Sequence, residues 1–249
     1  MKAVIFDIMV KKYSLGLPNN KKDSATIIPK TTVLGIIGAF IRIQRGTEAY
    51  ARLMSGELLD ILIESKTPLK KMSSDVKLGK DWRIVVNAEE PFRKDVVFQV
   101  TAIPTNEEGV ALLKKFEEGV MKAKKSWRKN KDSKKAVYLG RQGYPLRVGK
   151  ITWVDFTKLN PDDVRGKEIV QNSVIPFDGN NIEIIYQPER TVIVSMSYAM
   201  DVKGLERIPR NRRYKITTDI QPFKVKVKGE IECNIYQIND ENERIIICM

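Results

Sequence analysis

The strongest constraint on the fold is the stretch of residues 33–43, which is apolar on nearly every side of a helix. Pro29 closes the loop before it, and Thr31 or Thr32 can cap its first turn. A helix without a polar face has to be covered on all sides. We therefore predict that this helix is buried inside its domain.

Four strands and a second helix are predicted around the buried helix in the first 145 residues. The strands are expected at residues 1–10, 58–67, 96–103 and 136–139. The second helix runs from Glu107 to about Lys125 behind a cap at Asn106, because its apolar residues recur at spacings of three and four. The order βαββαβ is that of the ferredoxin-like or RRM-like unit, whose two helices cover one face of an antiparallel sheet. The other face is expected to be free for binding.

On this pattern the 249 residues divide into two domains and give an α+β fold class. Residues 1–145 form the ferredoxin-like domain, with a basic insertion at about residues 69–94 that is predicted to project as a hairpin. Residues 146–249 form a mostly β domain, with strands expected at 182–186, 191–198, 223–227 and 230–238.

Two clusters of cations stand out in the C-terminal domain. Arg210, Arg212 and Arg213 follow Pro209 and are predicted to lie in a basic turn, either solvated or in contact with RNA or a partner. A second set alternates with valines, which places its side chains on one side of a strand. Its members are Lys224, Lys226 and Lys228.

The charge balance indicates a polyanionic partner. Lys and Arg number 44 against 31 Asp and Glu, so the formal net charge is +13. A surplus of this size attracts phosphate backbones through counterion release, independently of base sequence. The alternative is the ion-pair-rich surface of a heat-adapted, thermophile protein, but such networks balance the two signs and this chain does not. RNA, DNA and anionic lipid all satisfy the charge alone.

The sequence contains no histidine, which excludes several kinds of active site. A histidine-based ribonuclease, a serine or cysteine triad and a histidine-ligated metal all require that side chain. The two cysteines, Cys233 and Cys248, are too few for a cysteine zinc site. We therefore predict a protein that has no metal, no cofactor and no enzymatic activity. Metal-independent RNA cleavage by Tyr and Lys side chains is the remaining catalytic alternative.

Nothing in the sequence predicts export or membrane insertion. Lys2 and Asp7 interrupt the apolar N-terminal segment, and no small-residue cleavage site follows it. The longest apolar run has about half of the roughly 20 residues that are needed to cross a bilayer. We expect a cytoplasmic protein that is not attached to a membrane.

The most informative motif is PKTTVLGIIG, residues 29–38. Lys30 and the hydroxyls of Thr31 and Thr32 stand at a helix N-terminus, where unpaired backbone N–H groups favour phosphate. The alternative is structural: the two threonines only cap the helix, and Gly35 and Gly38 only let it approach the sheet.

This motif, continued to Ala39 as Pro-x-Thr-Thr-x-Leu-Gly-x-x-Gly-Ala, resembles the fifth family of CRISPR-associated (Cas) proteins, which belongs to the RAMP superfamily. Val137-Tyr138-Leu139-Gly140-Arg141 is similar to the short family strand that ends in Leu-Gly-Arg. Together the two motifs cover about a tenth of the chain. The predicted βαββαβ order, the basic insertion and the chain length agree along most of the remainder.

The resemblance implies an antiviral defence role. Family members bind the 5′ handle of the CRISPR RNA (crRNA) at one end of the type I Cascade complex, beside a backbone subunit and a large subunit, and so act indirectly on target DNA. Most are not enzymes, and the branch that processes precursor crRNA uses a histidine that this chain lacks. The insertion at about 69–94 would be the family's thumb. The matching RNA contacts would be Lys30, Thr31, Thr32 and Arg141, with Gly35 and Gly38 allowing close packing.

Charge and position alone add further RNA-binding candidates. The phosphate contacts among them are Lys21, Lys22, Lys70, Lys71, Lys77 and Arg83. Trp82 is expected either to stack on an unpaired base or to pack at the base of the hairpin. Two alternatives to a handle-binding subunit stay open, namely a metal-independent endoribonuclease of the same family and a free-standing ferredoxin-like module that binds nucleic acid.

Overall fold

The computed structural model describes residues 1–15, 24–75, 82–89, 95–129, 137–139, 145–177, 181–203, 206–239 and 243–248. The helices in these ranges are α1 (Lys30–Phe40), α2 (Glu48–Met54), α3 (Glu107–Lys129) and α4 (Pro161–Val164). The strands are β1 (Lys2–Val10), β2 (Lys12–Tyr13), β3 (Leu59–Ser65), β4 (Leu69–Asp75), β5 (Trp82–Ala88), β6 (Val96–Pro104), β7 (Arg147–Val148), β8 (Thr152–Leu159), β9 (Glu168–Asn172), β10 (Val174–Pro176), β11 (Ile182–Tyr186), β12 (Thr191–Lys203), β13 (Glu206–Thr217), β14 (Pro222–Val227), β15 (Ile235–Asn239) and β16 (Arg244–Ile247). The predicted α+β class is confirmed. No helix in the described ranges is both long and apolar enough to cross a bilayer.

The largest sheet has the order β16-β15-β8-β1-β6-β3, and all of these neighbours are antiparallel. Three predicted strands are confirmed as β1, β3 and β6. The fourth, residues 136–139, is wrong: within the described residues 137–139, an isolated bridge joins Tyr138 to Pro145, and Leu139 packs into the core on the helix side. The backbones of β7 and β8 instead occupy the place beside β1.

The main sheet crosses the predicted domain boundary. The strands β8, β15 and β16 all follow residue 145, and yet they extend the sheet built on β1. Residues 1–145 and 146–249, which are predicted to be separate domains, therefore both contribute strands to one sheet.

Helices α1 and α3 cover one face of the main sheet. Alternate side chains of β1 and β6 are buried against them in one core, as the sequence predicts for β6. The β6 members of this row are Val96, Phe98, Val100 and Ala102. The rings of Phe6 in β1 and Phe116 in α3 lie 5.0 Å apart at the centre of this layer. The predicted burial of α1 is confirmed on its sheet-facing side.

The second face of the sheet is largely covered, so the prediction of a free binding face is wrong. A separate apolar cluster is buried there, formed by Ala3, Leu62, Ile103, Val154, Tyr236, Ile238, Ile246 and Cys248. The sheet curls far enough for side chains from its two ends to meet. Tyr236 Oη donates to Asp60 Oδ2 at 2.6 Å, and Arg244 Nη1 lies 2.7 Å from Glu64 Oε2. The curvature buries both carboxylates, which a flat sheet would leave exposed.

A long hairpin formed by β12 and β13 packs against α1 and α2. The basic turn predicted for Arg210, Arg212 and Arg213 is wrong, because all three residues lie within β13. Pro209 is tolerated in this strand because β10 pairs with β13 only near Tyr214. At Pro209 no other described strand pairs with the edge of β13 that faces away from β12.

Smaller sheets complete the fold. The strands β4 and β5 form the hairpin predicted from the basic insertion, and β2 pairs with β5. In the sheet β11-β14-β9, the alternating exposure of β14 confirms the predicted lysine row. Lys224 and Lys228 pair there with Glu168 and Glu183. This lysine face is therefore largely balanced by its own carboxylates.

Candidate nucleic-acid interface

The first turn of α1 differs from its sequence prediction. Pro29 is the N-cap, with ψ 156° and no side-chain capping bond, and Thr31 and Thr32 both lie inside the helix. The predicted threonine cap is therefore wrong. Strand β12 passes over this helix end, and Thr31 Oγ1 donates to the carbonyl of Ser197 at 3.5 Å. The helix N-terminus is thus covered by protein.

Lys30 points into the protein at this covered end. Only 3% of the residue is exposed, and its ammonium lies 3.6 Å from Asp60 Oδ1. Burial lowers the pKa of Lys30 below its ordinary value, and the adjacent Asp60 carboxylate opposes that shift. Asp60 also accepts hydrogen bonds from Asn234 and Tyr236. In this structure the Lys30 ammonium pairs with a carboxylate and is not presented to a phosphate.

A concave surface lies farther along α1. A groove of about 1360 Å³ separates α1 from α3, and α2, the β12–β13 hairpin and residues 137–139 also line it. Thr32 and Gly35 line the α1 wall, whereas Lys115 and Lys122 line the α3 wall. We call this cavity the α1–α3 groove.

Close contact between the helices fixes one end of the α1–α3 groove. A Cβ atom added to Gly119 in α3 would lie 2.6 Å from the carbonyl oxygen of Phe40 at the end of α1. The rings of Phe40 and Phe116 meet edge-on at 5.7 Å beside this point. Glycine is needed at 119 because the backbone of α1 occupies the space of a side chain.

Helix α1 ends in a Schellman motif, three residues before the predicted end at Ile43. The Ile43 N–H donates to the Gly38 carbonyl at 2.9 Å, and the Arg42 N–H donates to the Ala39 carbonyl at 3.3 Å. Arg42 has φ 62°, a conformation that glycine usually adopts at this position. The motif turns the chain so that Arg42 and Arg45 both line the α1–α3 groove.

The charge of the α1–α3 groove is strongly positive. Its cations are Arg42, Arg45, Lys115, Lys122 and Arg207, and Glu118 is its one acidic side chain among the described residues. Lys122 Nζ lies 3.7 Å from Glu118. The other four cations form no ion pair with any described residue, and all four are exposed. They are Arg42, Arg45, Lys115 and Arg207. Four exposed cations in one concave surface create a positive potential that attracts anionic groups.

The floor of the same groove is apolar. It includes Ile36, Ala39 and Phe40 from α1 and Leu139 from the segment after α3. Tyr138 lines the groove as well, and 44% of this residue is exposed. A cationic groove with an apolar and aromatic floor suits a ligand that carries both phosphates and flat rings.

The residues predicted from the sequence reach the α1–α3 groove only in part. Thr31, Thr32 and Gly35 line it, whereas Gly38 faces α2, where an added Cβ would lie 2.9 Å from Leu53 Cδ2. Lys70 and Lys71 are exposed on β4, away from the groove lining. Lys21, Lys22, Lys77 and Arg141 lie outside the described residues, as do the side chains of Trp82 and Arg83.

Sequence reasoning missed the cations that line the groove. Arg42 and Arg45 follow the buried helix directly, and that position was a usable signal because helix ends are exposed more often than helix centres. Lys115 lies on the polar side of the amphipathic α3, where most lysines are only solvated. Arg207 is brought in by the β12–β13 hairpin, a contact between distant segments that no local pattern indicates.

Comparison with known proteins shows the fold but not the family. No family model and no curated protein matches the sequence. The structure is similar to that of a CRISPR protein from Archaeoglobus fulgidus, with a TM-score of 0.62, 14% identity, and coverage of 100% of this chain and 99% of that one. A Cas protein (TM-score 0.38, 16% identity, 58% and 62% coverage) and a CRISPR-associated protein (0.40, 9%, 94% and 95%) overlap less closely. The chain therefore shares its fold, along its whole length, with a CRISPR protein of known structure.

Proposed function

We propose that this chain is a non-catalytic RNA-binding subunit of a CRISPR ribonucleoprotein, and that it holds single-stranded crRNA in the α1–α3 groove. The observation that carries the proposal is the set of four exposed, unpaired cations gathered over an apolar floor among the described residues. A protein that only needed solubility would have no reason to concentrate them in one concave site. The fold shared with a CRISPR protein supports the biological setting.

The finer assignment is a family-five RAMP subunit of a type I Cascade complex that caps the 5′ handle. Its support is the motif at residues 29–39 and the topology β1-α1-β3-β6-α3-β8, whose sheet order β8-β1-β6-β3 fits a ferredoxin-like unit. The β4–β5 hairpin would then be the thumb that touches a neighbouring backbone subunit. Affinity purification from cells that carry the CRISPR locus should recover a guide RNA together with repeated backbone subunits. Recovery of RNA alone would favour a free-standing module.

Fluorescence anisotropy with a labelled repeat-derived RNA tests the groove. The triple variant Arg42→Gln, Arg45→Gln, Lys115→Gln should bind at least about tenfold more weakly, and the slope of log affinity against log salt should fall by about 2, since each contact to a single strand contributes about 0.7. The matched control is Lys224→Gln, Lys226→Gln, Lys228→Gln, which removes the same charge from β14 and the residue after it, outside the groove lining.

Equal loss of affinity in the two triple variants would assign binding to net charge and overturn the groove assignment. The absence of catalysis has its own measurement. The same RNA incubated with the protein in EDTA should remain intact, and one discrete cleavage product would replace the proposal with the endoribonuclease alternative.

A further inference from the structure

Gly35 is the one position in the middle of α1 where the groove wall has no side chain. A Cβ atom added there would meet no described heavy atom within 4 Å. The other glycines of the two helices behave differently. An added Cβ would lie 2.9 Å from Leu53 at Gly38, 2.4 Å from the Leu58 carbonyl oxygen at Gly109 and 2.6 Å from the Phe40 carbonyl oxygen at Gly119. Packing therefore explains Gly38 and Gly119 but does not explain Gly35.

A glycine inside a helix has a cost that packing usually offsets. Relative to alanine it destabilises a helix interior by about 1 kcal/mol, because the unfolded chain loses more conformational freedom. At Gly35 no contact with a described residue offsets that cost. What the glycine provides is a bare patch of helix backbone that faces the α1–α3 groove.

The surroundings of Gly35 suit a flat ring. Ile36 and Ala39 flank it on the α1 wall, and Tyr138 and Leu139 line the same groove. Phosphate groups require the cations but gain nothing from this apolar surface. A nucleotide uses both, because its base can lie on the apolar floor while its phosphates meet Arg42, Arg45 or Lys115.

We propose that the bare backbone at Gly35 is a subsite for the base of an unpaired nucleotide of bound RNA. The inference rests on the proposed function, because it requires RNA in the α1–α3 groove. It goes further by assigning part of the affinity to one base, and it predicts that a side chain at position 35 closes that subsite.

The experiment compares a short single-stranded RNA with RNAs of the same length and phosphates in which one nucleotide, placed at each position in turn, is abasic. The abasic RNA that weakens wild-type binding most is the one used in the comparison that follows. The wild-type protein should bind the intact RNA about tenfold more tightly, as expected for the loss of a single stacked base. Gly35→Leu should bind both RNAs with the affinity that the wild type shows for the abasic RNA, and Gly35→Ala should fall between. Both substitutions favour the helix, so unfolding would not account for the loss.

The outcomes separate this inference from the proposed function. If the wild type binds neither RNA, the proposed function fails and the subsite fails with it. If the wild type binds both RNAs equally, or if Gly35→Leu weakens both to the same extent, the subsite is overturned while RNA binding stands.

Discussion

The ammonium of Lys30 lies 3.6 Å from the carboxylate of Asp60, and both side chains are largely shielded from solvent. Asn234 Nδ2 and Tyr236 Oη each donate to the other Asp60 oxygen at 2.6 Å. One carboxylate thus joins the start of α1, strand β3 and the segment around β15. Because a buried charge without a partner is costly, this junction should be sensitive to the loss of Asp60.

Asp60→Leu should lower the free energy of unfolding by about 3–5 kcal/mol, since it leaves a buried ammonium, an amide and a phenol without their acceptor. Lys30→Met should cost less, because Asp60 keeps its bonds to Asn234 and Tyr236. Urea unfolding monitored by circular dichroism measures both. The control is Asp155→Leu, which breaks the exposed pair with Lys2 and should change stability by less than about 1 kcal/mol. A larger loss in Lys30→Met than in Asp60→Leu would contradict the central role of the carboxylate.

Stability should fall at alkaline pH because buried thiols and phenols stay protonated only in the folded chain. Burial raises the pKa of Cys233, Cys248, Tyr13, Tyr214 and Tyr236 above their ordinary values. Their stabilising contribution is complete below the pKa values of the unfolded chain, about 9 for Cys and 10 for Tyr, and is lost as the pH rises above them. Lys30 acts in the opposite direction, since its lowered pKa makes the fold gain stability as the pH rises toward 10.5. Because five groups lower the free energy of unfolding as the pH rises and Lys30 raises it, we expect a net loss of stability.

Urea unfolding at pH 7, 9 and 10 measures this dependence. Each group that ionises only in the unfolded chain removes about 1.4 kcal/mol per pH unit. Cys248→Ala should therefore show a shallower decline between pH 9 and pH 10 than the wild type, whatever its stability at pH 7. An unchanged slope would mean that this thiol ionises equally in both states.

The parts of the fold that the sequence predicts are those set by local periodicity. The short apolar runs of β1 and β3, the alternation in β6 and the three-and-four spacing in α3 each act within one element. Asn106 Oδ1 also accepts the Gly109 N–H, as the predicted cap requires. The wrong predictions concern contacts between distant segments. Lys30 at a helix N-terminus predicted a phosphate contact, but the fold brings Asp60 to it and lays β12 over the same turn.

The curled sheet shows the same limit. A polar residue such as Asp60 or Glu64 in a strand indicates an exposed face when it is considered by itself. Tyr236 and Arg244, more than 170 residues later, form hydrogen bonds with Asp60 and Glu64 that offset the cost of burying these two carboxylates. The groove cations were missed for the related reason that Arg207 reaches α1 only through the β12–β13 hairpin.

Two glycines on facing helices should respond to alanine in opposite ways. Gly35→Ala should raise the free energy of unfolding by about 1 kcal/mol, because the new methyl group meets no described atom within 4 Å and the helix propensity improves. Gly119→Ala should lower it by about 1–3 kcal/mol, because its methyl group would collide with the Phe40 carbonyl. Thermal melts of the two variants provide the comparison. A stabilised Gly119→Ala would show that α1 and α3 can move apart without cost.

Arg42 should show a conflict between stability and RNA binding. It occupies the left-handed position of the Schellman motif with φ 62°, where an L-residue costs about 1–2 kcal/mol relative to glycine. Arg42→Gly should therefore raise the free energy of unfolding by about 1 kcal/mol. The same change removes one of the four unpaired cations of the groove and should weaken RNA binding by a few-fold.

Arg42→Gln is the matched control for this prediction. It removes the charge but keeps the strained backbone, so it should lose affinity for RNA without gaining stability. Chemical unfolding and anisotropy on the same protein samples separate the two effects. If Arg42→Gly bound RNA as tightly as the wild type, Arg42 would not be a phosphate contact, and the strained arginine would be left without a functional reason.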